Sequence, residues 1–178
     1  MHRLIVLLLM ALAVSAAEPA SSSFRAHLVA GVIVSAPAAW MVQTPTPGSL
    51  LLLRSAADPT IADSAARERA RASVTVINER LITGTDLNGF VQTARSDLAR
   101  FGTNLVIDEA GSMLMSDHEW RRIRYRFDIG PYTFVQVAHL TVIDGMGVIV
   151  TCSSGAETSD RWRVAFAGIG AGLRRAVP

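Results

Sequence analysis

The chain has 178 residues, half of them hydrophobic, and its 17 basic residues nearly balance its 15 acidic ones. This size suits one domain with a substantial core, and the weak net charge argues against a nucleic-acid-binding protein, which typically has a clustered basic surface. The single cysteine, Cys152, excludes an internal disulfide and any metal site built from several cysteines. Every basic side chain is arginine; genome composition explains this bias, and the alternative is use of guanidinium groups to bind anions.

The N-terminal segment has the pattern of a secretory signal. Arg3 precedes an unbroken apolar run over residues 4–14, and Ser15, Ala16 and Ala17 follow as small residues. The run is too short to span a bilayer, which takes about 20 residues. We therefore expect cleavage after Ala16 or Ala17.

This prediction divides the chain into a signal peptide, residues 1–17, and a single domain, residues 18–178. We expect the mature protein to be periplasmic or secreted and to lack a transmembrane segment. A lipid anchor is not expected, because no cysteine lies near the cleavage region.

The first half of the mature chain alternates strand and turn patterns. A β-rich run extends from Phe24 to Ser35, and short strand patterns follow between Trp40 and Arg54. The charged, alanine-rich segment 56–72 is typical of an exposed loop with room for one helical turn. Residues 73–81 alternate as a strand.

Two amphipathic helices follow from apolar spacing. Residues 87–101 repeat apolar side chains every three or four positions, and Thr85 can cap the N-terminus of this helix. A terminal helix begins at Thr158 or Ser159, and Arg174 and Arg175 are predicted to lie against its C-terminal dipole. Its apolar face consists of Trp162, Phe166, Ile169 and Leu173.

The terminal helix also contains glycines that are unfavourable in a helix. Gly168, Gly170 and Gly172 cost roughly 1 kcal/mol each relative to alanine. This cost indicates a close approach of the helix to the sheet.

Asp144-Gly145 predicts a two-residue hairpin turn. The turn pairs Ile143 with Met146 and, further along, Val137 with Cys152, so that both faces of the hairpin are largely apolar. A sheet with two apolar faces is covered on both sides. The predicted fold class is therefore α+β, with a predominantly antiparallel sheet of about six strands sandwiched between helices.

Strand register can be extended to the preceding strand in the same way. If Phe127 pairs with Tyr132 across a turn at residues 128–131, a row of arginines lies on one sheet face. Guanidinium groups match carboxylates and phosphates and stack on aromatic rings. The candidate ligand or partner face consists of Trp120, Arg122, Arg124, Arg126 and His139. The alternative is a solvent-facing row, because a one-residue slip swaps the faces. The arginines would then pair with Glu79, Asp108 or Glu109.

The motifs of the common hydrolases and nucleotide-binding proteins do not occur in the chain. Cys152 with His139 would suit a small hydrolase, but a cysteine inside an apolar strand is usually an inert small hydrophobe. Asp117, His118 and Glu119 have the side chains of a metal site, but they are consecutive. Neighbouring residues of a strand point to opposite faces, so these three side chains cannot converge on one ion. We expect no catalytic residues, no cofactor and no metal site.

The order of elements resembles the Mog/PsbP-like superfamily and, within it, the DcrB-like bacterial periplasmic proteins. The resemblance rests on Pro37-Ala-Ala-Trp40, the helix from Thr85 to Phe101, the strand from Arg121 to Phe127, and Val150-Thr-Cys-Ser153 before the terminal helix. It implies an α/β/α sandwich. Members include PsbP subunits of photosystem II, Ran-binding Mog proteins, periplasmic proteins linked to phage adsorption and chaperones of secreted effectors. They share no active site, so the resemblance assigns no functional residue.

The export signal, the resemblance and the missing motifs together predict a non-enzymatic binding or accessory module of the cell envelope that engages a protein partner. One alternative is an anion-binding protein that uses the arginine face. The other is a small hydrolase that uses Cys152 and His139. The oligomeric state does not follow from the sequence.

Overall fold

Ten strands and three α-helices form within residues 23–101, 103–115 and 118–176, the part of the chain that the computed structural model describes. The predicted signal peptide lies outside these residues. The helices are α1 (Ser64–Arg69), α2 (Leu87–Phe101) and α3 (Ser159–Ala171). The strands are β1 (Phe24–Val29), β2 (Val32–Pro37), β3 (Met41–Gln43), β4 (Leu51–Arg54), β5 (Ser73–Arg80), β6 (Thr103–Met115), β7 (His118–Ile129), β8 (Tyr132–Ile143), β9 (Met146–Gly155) and β10 (Arg174–Arg175).

The main sheet has seven strands in the order β3-β4-β5-β9-β8-β7-β6, and all neighbours are antiparallel. This confirms the predicted α+β class, although about six strands were expected. A second sheet of three strands has the order β1-β2-β10. None of the helices in the described residues is long and apolar enough to cross a membrane.

The smaller sheet differs from the prediction at both of its ends. The run from Phe24 to Ser35 is a hairpin, because Ala30 (φ 50°) and Gly31 (φ 74°) form a two-residue turn. Alanine rarely adopts a positive φ, so the sequence carries little signal for this turn. Arg174 and Arg175 form β10 on the edge of β2 instead of ending the last helix.

Helices cover both faces of the main sheet. The larger core lies between the sheet, α3 and the smaller sheet, and it includes Trp120, Val150, Cys152 and Ile169. The second core lies beneath α2 and consists of Phe90, Val91, Ile123, Tyr125, Ala138 and Leu140. Alternation along β7 and β8 sends successive side chains to these two cores.

The predicted hairpin at Asp144-Gly145 is confirmed, with φ values of 51° and 76° and the expected pairing of Val137 with Cys152. The preceding connection is shorter than predicted. Phe127 pairs with Phe134, not with Tyr132, because the turn contains only Gly130 and Pro131. The error is two residues, and side chains alternate with a period of two, so the predicted faces are unchanged.

Aspartates cap the N-termini of α1 and α2. The Asp86 carboxylate, rather than Thr85, accepts a hydrogen bond from the Gly89 N–H at 2.8 Å at the start of α2. Asp63 accepts the Ala66 N–H at 2.7 Å and caps α1, which occupies part of the predicted loop. Each cap satisfies a backbone donor that the helix itself leaves free.

Candidate functional site

Strand β7 places the arginine row on the sheet face that α3 covers. Arg122 pairs with His139, Arg124 with Val137, and Arg126 with Val135 of β8. Val137 belongs to the core beneath α3. The arginines therefore border an apolar floor, as the sequence predicts.

A β-bulge in the edge strand β6 supplies carboxylates to these arginines. The register shifts between Ile107 and Glu109, which leaves Asp108 as the extra residue. Glu109 forms an ion pair with Arg122, and Asp108 lies 3.5 Å from Arg124 and 3.6 Å from Arg126. The arginines therefore pair with Asp108 and Glu109, as the solvent-facing alternative predicted. They do so, however, on the face that α3 covers. Such exposed pairs contribute at most about 1 kcal/mol each to stability.

A cleft of roughly 390 Å³ opens between α3 and strands β6 to β8, and we call it the α3 cleft. Its lining residues are Glu109, Arg122, Arg124, Val135, Val137, Ser159, Asp160, Arg163, Phe166 and Ala167. Three guanidinium groups and two carboxylates border the cleft, which leaves one excess positive charge. Val135, Val137 and Phe166 supply apolar surface between them.

The five predicted face residues do not all reach the α3 cleft. Arg122 and Arg124 line it, whereas Arg126 is not among the lining residues and its side chain is more exposed. Trp120 and His139 are buried in the sheet interior. The predicted face is therefore divided into two cleft residues, one peripheral arginine and two core residues.

His139 is packed beneath α3 and is 1% exposed. Burial, with a smaller contribution from the positive charge of Arg122, lowers the pKa of His139 to about 4. Neither ring nitrogen has a hydrogen-bond partner among the described residues. The imidazole is neutral at physiological pH and fills space below Gly170.

Cys152 lies on the same sheet face as His139 but has the character of a core residue. Its side chain is 0% exposed, and burial raises the pKa of the thiol to about 12. A thiol must ionise to act as a nucleophile, and His139 forms no hydrogen bond to it. The geometry gives the Cys152–His139 hydrolase no support.

The α3 side of the cleft was missed at the sequence level. Ser159, Asp160 and Arg163 belong to the first turns of α3 and line the cleft opposite β7. The periodicity of this helix predicts only its apolar face, which packs on the sheet. Asp160 and Arg163 are three residues apart, a spacing that places both on one side of a helix.

No family model and no curated protein sequence matches the chain, but solved structures do. The cyanobacterial PsbP protein CyanoP from Synechocystis sp. PCC 6803 has a TM-score of 0.61 at 13% identity, with 86% of this chain and 93% of that chain covered. LpqN of Mycobacterium tuberculosis, described as involved in cell envelope biogenesis, has a TM-score of 0.63 at 10% identity, with 88% and 92% covered.

The Ran-binding protein Mog1p of Saccharomyces cerevisiae is also similar, with a TM-score of 0.60 at 9% identity over 87% of this chain and 96% of that chain. These likenesses establish the Mog/PsbP-like fold over most of the chain. At such low identity they establish the fold alone.

Proposed function

We propose that this protein is an exported, non-enzymatic binding or accessory module of the cell envelope that engages a protein partner through the α3 cleft. The observation that carries the proposal is the composition of this cleft. An apolar floor containing Phe166 is bordered by Arg122, Arg124 and Arg163. Protein interfaces combine an apolar centre with a polar rim and are enriched in arginine and aromatic residues.

The charge balance favours a protein partner over a small multiply charged anion, which was the alternative use of the arginine face. Glu109 already pairs with Arg122, and Asp108 lies beside Arg124 and Arg126. Carboxylates beside the arginines repel a phosphate, whereas a protein surface can match both signs of charge.

The N-terminal signal pattern and the shared fold support a place in the envelope. LpqN, of the same fold, is described as involved in cell envelope biogenesis, and Mog1p is described as Ran-binding. Within this fold, the DcrB-like periplasmic proteins match the predicted export, and we propose this chain as a member of that group.

The export proposal is tested by N-terminal sequencing of the protein recovered from its native host. We expect the first residue to be Ala17 or Glu18, in the periplasmic or secreted fraction. Recovery of the uncleaved chain from the cytoplasm alone would contradict the proposal.

The partner proposal is tested by site-specific photo-crosslinking in the native envelope. Replacement of Arg163 by p-benzoylphenylalanine puts the crosslinker at the rim of the α3 cleft. The same replacement at Arg100, exposed on α2 across the sheet, is the matched control. We expect one discrete protein adduct from position 163 and none from position 100.

Substitution of Arg124 by glutamate in the crosslinker variant should reduce this adduct, since it reverses a charge in the cleft. Equal adducts from both positions, or none from position 163, would remove the α3 cleft as the binding surface. Turnover of a substrate by the purified protein would refute the non-enzymatic role.

A further inference from the structure

Two methionines, a histidine and a tryptophan share one sheet face where β6 ends and β7 begins. Met113 pairs with Trp120, and Met115 pairs with His118. Leu114, between the two methionines, is 74% exposed, whereas both methionines pack against the larger core. The alternation places both thioethers on the same side of the sheet as the imidazole and the indole.

His118, like His139, has a buried ring nitrogen that no described residue binds. Its Nε2 atom is buried and has no hydrogen-bond partner among the described residues. Buried polar atoms are nearly always paired, so an unpaired one requires an explanation. The His118 ring lies 6.3 Å from the Trp120 ring, centroid to centroid, in an edge-on arrangement.

The donor set selects the kind of metal. Directly opposed residues of an antiparallel pair have Cβ atoms about 4.5–5.5 Å apart, and methionine has three rotatable bonds with which to direct its sulfur. Two thioethers and one imidazole form a neutral, soft donor set that suits Cu(I). Zinc sites instead use thiolate, imidazole and carboxylate ligands.

The carboxylate of Glu119, the residue between His118 and Trp120, does not face the two methionines. Glu119 alternates to the opposite face of β7, where it forms an ion pair with Arg121. No group of three or more His, Cys, Asp or Glu side chains suited to a metal occurs in residues 23–101, 103–115 and 118–176. Two thioethers and one imidazole therefore suit a soft monovalent ion, and an indole ring beside such an ion contributes a cation–π attraction.

We propose that Met113, Met115 and His118 bind one soft monovalent metal ion, Cu(I) or Ag(I), beside the ring of Trp120. The methionine sulfurs and His118 Nε2 donate lone pairs, and no group changes its oxidation state. This site differs from the expectation of no metal site, which rested on histidine, cysteine and carboxylate patterns and not on methionine. The signal was present as Met-x-Met followed by His-x-Trp.

The test is titration of the purified protein with Ag(I), as silver nitrate in chloride-free buffer. Methionine methyl groups labelled with ¹³C report on the sulfur ligands. Tryptophan fluorescence, to which Trp40, Trp120 and Trp162 all contribute, reports on a metal ion beside an indole ring. We expect one equivalent of Ag(I) to shift the methyl resonances of Met113 and Met115 and to quench the fluorescence. An equal concentration of Zn(II) should do neither.

The Met113→Leu/Met115→Leu double variant conserves side-chain volume, which cores tolerate well. We expect its affinity for Ag(I) to fall by more than about 100-fold, a loss that outer-shell changes alone can reach. Met41→Leu is the matched control, because Met41 is an exposed methionine on the opposite edge strand. Circular dichroism verifies the fold of each variant.

Silver also binds thiolates, so a Cys152→Ala variant separates the two sites. Binding that persists in Cys152→Ala and is lost in the double methionine variant supports the proposal. Binding that depends on Cys152, or methyl shifts confined to Met41 and Met146, overturns it. The methyl shifts of the unmodified protein identify the ligands even if a variant fails to fold.

Discussion

Gly170 is the position at which one methyl group tests the packing of α3 on the main sheet. A Cβ atom at Gly170 would lie 2.8 Å from Cε1 and 2.9 Å from Nε2 of His139. The His139 ring is almost completely buried, so it cannot move without displacing its neighbours. We expect Gly170→Ala to destabilise the protein.

The magnitude follows from two opposing contributions. Overpacking in a close-packed interior costs about 1–3 kcal/mol, and replacing a helical glycine by alanine regains up to about 1 kcal/mol. The free energy of unfolding should therefore fall by up to about 2 kcal/mol. For a domain of this size, each kcal/mol lowers Tm by about 2–4 °C.

Gly168→Ala is the matched control in the same helix. Its Cβ atom would lie 2.8 Å from Cζ of Phe24, but Phe24 is 44% exposed and its ring can rotate toward solvent. We expect this variant to be as stable as the unmodified protein or up to about 1 kcal/mol more stable. Urea unfolding of the three purified proteins measures the difference.

A Gly170→Ala variant that gains as much stability as Gly168→Ala would refute the close approach of α3 to His139. A double-mutant cycle gives a second measurement. In a His139→Ala background the contact is gone, so Gly170→Ala should become neutral or stabilising. An unchanged cost in that background would attribute the effect to something other than His139.

Two further predictions concern the buried titratable groups. Because burial raises the pKa of Cys152 to about 12, the thiol should react with iodoacetamide at pH 8 only after unfolding, and rapid labelling of the native protein would contradict its burial. The pKa of His139 is lowered to about 4 in the folded state, so below pH 6.5 the unfolded chain binds a proton that the folded chain does not. The free energy of unfolding should therefore fall by about 3 kcal/mol as the pH drops from 6.5 to 4. Each unit of difference between the unfolded and folded pKa contributes about 1.36 kcal/mol. Urea unfolding across this range should show a weaker pH dependence for His139→Asn, and an identical dependence would rule out His139 as the cause.

Local turn chemistry made much of the sheet predictable. Asp144-Gly145 is a sequence pair that favours positive φ at both positions, so it determined the β8–β9 register and the faces of Val137 and Cys152. The predicted pairing across Gly130-Pro131 was wrong by two residues. The face assignment was still correct, because a shift of two residues preserves side-chain direction.

The parts that were not predictable depend on contacts between distant segments. Ala30 adopts a positive φ because the β1–β2 hairpin imposes it, against the preference of alanine. The bulge at Asp108 depends on the pairing of β6 with β7. Arg163 lines the α3 cleft because α3 lies across from strands β6 to β8. No local sequence pattern predicts this placement of the helix.

The strand order of the main sheet has a consequence for how the chain folds. Strands β3 to β5 and strands β6 to β9 are two runs of sequential antiparallel neighbours, joined only where β5 pairs with β9. Each run can form from local contacts. The pairing of β5 with β9 joins segments that are distant in the chain, and such non-local pairing is slow. During synthesis, the strand Ser73–Arg80 is thus complete well before its partner β9 exists. An unpaired strand edge is a template for aggregation, so the risk of misassembly in this protein is concentrated at β5 until the last third of the chain arrives.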